Sequence, residues 1–141
     1  MSQLEYLLFE FNFPNRQEDS QTDIAEIEKH ISFALPDDYK FYLNNYQGHE
    51  QMMWPEYVRI FDIDELLDCN TGYKIFQTLP FTLGIGSNGS GEFIALEFVD
   101  NKDYRVVLSP FIELDKQYHI EIGSSFTNFF DRLYNAKEWF K

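Results

Sequence analysis

The spacing at which apolar residues recur changes twice along the chain, and those changes restrict the fold to a mixed class. Up to about residue 46 the apolar positions follow helical spacing: Leu4, Leu7, Leu8 and Phe11, where Phe9, Phe11 and Phe13 would also suit a strand, then Ile24, Ile27 and Ile31, then Tyr39, Tyr42 or Leu43, and Tyr46. From Val58 short β-rich runs take over: Val58 to Phe61, Thr78 to Leu83, Phe93 to Val99, Tyr104 to Leu108 and Tyr118 to Ile122. Helical spacing returns after Ser125, where Phe126, Phe129, Phe130, Leu133 and Phe140 share one face. This order predicts an α+β fold, an antiparallel β-sheet flanked by N-terminal and C-terminal helices. At 141 residues the chain has the length of one domain, 1–141, and a division in two would leave each half short of core.

Local signals sharpen the boundaries. Ser2 and Glu5 form a capping-box pair, and Thr22 is placed to cap the second helix. Leu35-Pro36-Asp37-Asp38 puts proline in a first turn and two carboxylates at the positive end of the helix dipole, and Gly48 stands where a left-handed C-terminal cap is wanted. Asp62 or Asp64 can start a short helix over Glu65 to Cys69. Gly84-Ile85-Gly86-Ser87-Asn88-Gly89 spells a dinucleotide-binding fingerprint, but a strand rather than a helix follows it. Its glycines therefore predict a hairpin connection.

Charge narrows the partners. Eleven basic against 24 acidic residues give a net charge of -13, which repels phosphate backbones and argues against direct nucleic-acid binding. Two stretches carry most of it: residues 18 to 38 hold seven acids and one base, and residues 50 to 68 hold six acids and one base. Such runs are either solvated surface or a docking face for a basic partner. The longest apolar run near the N-terminus is four residues, so no signal peptide or membrane span is expected, and the single cysteine, Cys69, fits a reducing compartment. A cytoplasmic protein is the expectation.

No catalytic constellation stands out. Cys69 has no nucleophile signature around it and reads as a small packed hydrophobe, and His30, His49 and His119 lack paired metal-ligand spacing. Asp62-Ile63-Asp64-Glu65 begins like a calcium loop, but Leu66 and Leu67 occupy the places of the next ligand and the turn glycine. No catalytic residue, cofactor or metal site is predicted. The segment His49 to Tyr57 is different: Met52, Met53, Trp54 and Tyr57 lie among Glu50 and Glu56 without regular period. It reads either as a loop covering the sheet or as a carboxylate-rimmed surface for a basic protein. With the neighbouring acids it supplies the candidate partner-binding residues Glu50, Trp54, Glu56, Tyr57, Asp62, Asp64 and Glu65.

Several of these pieces, taken in order, resemble the SUKH superfamily, which contains fungal glucan-synthesis (cell-wall assembly) regulators and many bacterial immunity proteins. Leu35-Pro36-Asp37-Asp38-Tyr39 resembles the family's Leu-Pro-x-Asp-Tyr helix start, and Tyr46-Gln47-Gly48 its Tyr-Asn-Gly ending, with Gln47 in place of the usual Asn. Leu79-Pro80-Phe81 with Gly84, then Ser90-Gly91-Glu92-Phe93-Ile94-Ala95-Leu96, resembles its glycine turn and following strand, and Ser125-Phe126-Thr127-Asn128-Phe129-Phe130 its terminal helix. The likeness spans residues 22–134. It implies an antiparallel sheet flanked by helices and a non-enzymatic protein-binding module with no catalytic residues to carry over. In bacteria it implies an immunity protein that neutralises a polymorphic toxin, often a nuclease, so that the expected partner is a basic toxin domain. The alternative it implies is a regulatory or scaffolding protein bound to endogenous partners.

Overall fold

Each longer helix begins where a side chain or a fixed backbone angle meets the needs of its first free amides. The computed structural model describes residues 1–53, 56–100 and 103–135. Helix α1, Gln3–Glu10, carries the expected capping box between Ser2 and Glu5. Helix α2, Ile24–Glu28, is capped by Asp23 rather than Thr22: the Asp23 carboxylate accepts from the Glu26 amide at 2.9 Å. Helix α3, Asp37–Asn45, starts after Pro36 and buries Tyr39, Tyr42 and Leu43. The chain leaves α3 in extended conformation, so Gly48 is no left-handed cap. Its role is close approach, because a Cβ there would lie 2.6 Å from the Asp62 amide nitrogen.

Six strands follow the chain in a simple meander, each antiparallel to the next: β1 His49–Met53, β2 Glu56–Ile60, β3 Thr82–Ser87, β4 Glu92–Asp100, β5 Asp103–Pro110 and β6 Ile120–Gly123. Strand β1 occupies sequence expected to be irregular. Between β2 and β3 lie a 3₁₀ turn, Ile63–Glu65, helix α4, Leu66–Gly72, and helix α5, Ile75–Thr78, so the expected strand from Thr78 begins only at Thr82. Gly84 and Gly86 lie inside β3 rather than in the hairpin turn, and a Cβ on Gly86 would sit 2.3 Å from the Arg59 carbonyl oxygen. The turn itself uses Gly89 and Gly91, with φ of +76° and +93°.

The sheet is covered on both sides. Ile94 and Leu96 of β4 and Val106 and Leu108 of β5 join the large core beneath α1, α3 and helix α6, Phe126–Tyr134. Their alternates Phe93, Ala95 and Val107 pack with Ile75 and Leu79 in a smaller cluster on the opposite side. Ser125 caps α6, whose Phe126, Phe129, Phe130 and Leu133 are buried as the spacing predicts. Each such side chain contributes about 2 kcal/mol of burial, so α6 seals the large core. Phe140, assigned to the same face, lies outside the described residues. The observed α+β architecture is the one the sequence predicts.

Candidate functional site

Four of the predicted acidic residues converge on one cleft of about 870 Å³, between the chain at residues 16–21, the start of β1, the end of β2 and the 3₁₀ turn. Its carboxylates are Glu18, Asp19, Glu50, Asp62, Asp64 and Glu65, set against the guanidinium groups of Arg16 and Arg59. The cleft therefore carries a surplus of negative charge concentrated on one part of the surface.

These acids divide by what they hold. Asp62 caps the 3₁₀ turn, accepts from the Gly48 amide at 3.2 Å and pairs with Arg16, whose guanidinium also donates to the Tyr46 carbonyl at 3.2 Å. Asp64 accepts from the amides of Gln21 and Thr22 at 2.9 and 2.8 Å, fastening the incoming chain to the turn. Glu65 accepts from the Asp62 amide at 2.9 Å and pairs with Arg59. Glu50 accepts from the Tyr57 hydroxyl. This bond, with partial burial and the Glu50 charge, raises the Tyr57 hydroxyl above its ordinary value against the opposing pull of Arg59. Glu18 and Asp19 are exposed and make no hydrogen bond or ion pair among the described residues. They are the carboxylates with no structural duty.

Of the predicted candidates, Glu50, Asp62, Asp64 and Glu65 line the cleft and Tyr57 reaches it through its hydroxyl. Glu56 does not line it, being half-buried on β2 opposite Met53. Trp54 lies outside the described residues. Met53 is fully buried and Met52 half-exposed, so the expected loop is a hairpin strand that sends one methionine into the core. Sequence reasoning missed Arg16, Arg59, Glu18 and Asp19 as members of the site. The last two head the first acidic stretch, but nothing in their spacing ties them to residues 50–65.

A second charged cluster lies on the sheet. Glu97 of β4 is 3 % exposed and accepts from Arg105 Nε at 2.6 Å and His119 Nδ1 at 2.9 Å, with Lys116 Nζ at 3.9 Å. Burial pushes the Glu97 carboxyl upward, but the bonds and charges of His119 and Arg105 outweigh it and hold the group below the usual carboxylate range. Among the described residues no set of three or more His, Cys, Asp and Glu side chains is arranged to hold a metal ion. Cys69 is packed against the core, and burial raises its thiol, as expected for an inert cysteine. No described helix is long and apolar enough to cross a membrane.

The meander sheet with helices on both sides, an acidic cleft at one end and a charge-compensated glutamate elsewhere define an α+β domain that carries a charged recess. The chain belongs to the SMI1 / KNR4 family (SUKH-1), whose family model matches residues 20–132. That span contains Glu50, Asp62, Asp64 and Glu65, while Arg16, Glu18 and Asp19 precede it. No curated protein matches the chain.

Proposed function

We propose that this protein is a non-catalytic, cytoplasmic binding module, one domain over 1–141, whose acidic cleft receives a basic protein. The observation that carries this reading is the surplus of carboxylates in the cleft, of which Glu18 and Asp19 are spent on no internal contact. A recess of this sign accelerates encounter with a positively charged partner and discriminates against acidic ones. Membership of the SMI1 / KNR4 family (SUKH-1) supports action through protein contacts. Within that class the reading is an immunity protein that neutralises a basic toxin domain, often a nuclease, inside the producing cell. A nuclease active site is built to attract phosphate, so an acidic protein is a natural competitor for the same surface.

The test is co-production of this protein with a basic toxin domain encoded beside its gene. Restored growth, reduced when Glu18, Asp19 and Glu50 are neutralised together, is the expected outcome. Cells that die as fast with the protein as without it would overturn the immunity reading. The same family membership accommodates a regulatory module bound to endogenous partners, and a wall defect on deleting the gene, without any toxin, would move the assignment there.

A further inference from the structure

We propose that β1 accepts one more strand, an extended lysine- or arginine-bearing segment of a protein partner, paired through the outward backbone groups of Glu50 and Met52. This rests on the acidic-cleft reading above and specifies how the partner engages it. Strand β1 is the edge of the sheet and has β2 on one side. The Phe61 amide donates to the Ile85 carbonyl at 2.9 Å, so odd-numbered residues of β2 turn their polar backbone groups toward β3 and even-numbered ones toward β1. In the observed register Ile60, Val58 and Glu56 stand opposite His49, Gln51 and Met53, which therefore bond inward. The N–H and C=O of Glu50 and Met52 point away from the sheet, and no described residue hydrogen-bonds to them.

Edges of this kind are normally blunted, and the two edges of this sheet differ in that respect. Strand β6 is four residues long, and its register with β5 slips between Val106 and Val107. Strand β1 has an unbroken register, no proline or lysine, and an exposed Glu50 and Met52. Charge selects the occupant. Glu50 lines the same cleft as Glu18 and Asp19, so a residue opposite Glu50 and on its face of the sheet meets the Glu50 carboxylate within an acidic field. A second copy of this chain would bring two such clefts to one edge at a net charge of -13 each, whereas a basic strand meets complementary charge.

The test uses the full chain and an eight-residue peptide alternating lysine with threonine. Two further peptides carry backbone N-methyl groups on the lysines alone or on the threonines alone. With lysine opposite Glu50, the lysine amides face β1 and the threonine amides face solvent. Lysine methylation should therefore weaken binding about tenfold while threonine methylation leaves it unchanged. Binding of the unmethylated peptide should slow hydrogen exchange at the Glu50 and Met52 amides about tenfold and leave Gln51 unaffected. Equal binding of both methylated peptides, or no protection at Glu50 and Met52, would overturn strand addition while leaving the cleft as a salt-sensitive binding surface. No binding of the unmethylated peptide would also overturn it, and the growth-rescue experiment then judges the cleft reading separately. As an independent check, Met52→Pro removes one outward N–H from the edge and should reduce peptide binding. A dimer in sedimentation that protects the same two amides without peptide would assign the edge to self-association and overturn the proposal.

Discussion

Glu97 and the carboxylates of the cleft are opposite solutions to placing negative charge on one sheet. Glu97 is buried, and three basic side chains converge on it from β5 and the segment before β6. The cleft is open and holds six carboxylates against two guanidinium groups, with Glu18 and Asp19 facing solvent. A charge removed from water has to be matched on the spot, whereas one left in water can wait for a partner. The comparison separates negative charge that maintains the fold from negative charge available for binding. It also divides the cleft itself, since Asp62 and Asp64 belong with Glu97 in the first group.

The severest test of this division is Glu97→Ala. It leaves the Arg105 guanidinium and the buried His119 ring without their acceptor, and a loss of about 3 kcal/mol is expected in urea unfolding. A loss below about 1 kcal/mol would place Glu97 among ordinary surface pairs and erase the contrast. Next, Asp62→Ala removes the cap of the 3₁₀ turn and the partner of Arg16, with an expected cost of about 1–2 kcal/mol by the same measurement.

Acid provides a smaller and separate probe. The folded Glu97 carboxyl lies below its unfolded value, so its contribution is present above the unfolded value of about 4.3 and is lost as pH falls through the folded one. Stability measured from pH 6 down to pH 2 should therefore decline less steeply in Glu97→Gln than in the parent chain. The smallest effect on the fold is expected from Glu18→Gln with Asp19→Asn, less than about 0.5 kcal/mol. That pair should nonetheless slow association with a basic partner and flatten its salt dependence, as stopped-flow mixing would record. An unchanged on-rate would remove these two residues from the binding surface.

Much of the fold was legible because local chemistry and global packing agree. The Ser2–Glu5 box, the start at Pro36 and the phenylalanines of α6 are each visible in a few residues and each holds in the structure. Strand β1 was not legible, because His49-Glu50-Gln51-Met52-Met53 has no β-branched residue and shows no clear alternation of apolar and polar side chains. Its strand character comes from the β2 ladder, a tertiary fact. Gly84 and Gly86 misled for the complementary reason: glycine signals a turn in sequence, yet here it allows a central strand to lie close to its neighbours. The cleft was half legible. The acids at 50 and 62–65 announce themselves as a charge run, but Arg16 reaches Asp62 across 46 residues and no short-range pattern encodes that pairing.

The meander also imposes an order in time. Every strand pairs with its immediate successor, and few residues separate β1 from β2, β3 from β4 and β4 from β5, so those hairpins close little loop, while β2 meets β3 only around the 3₁₀ turn, α4 and α5. Helix α1 is different: Gln3 and Tyr6 meet Asp131 and Tyr134 only after the intervening chain has been laid down. Its docking is the natural last event of assembly and the first to be undone. Truncating Leu7 should therefore hasten unfolding while leaving the rate of folding almost untouched, as the two arms of a chevron would show.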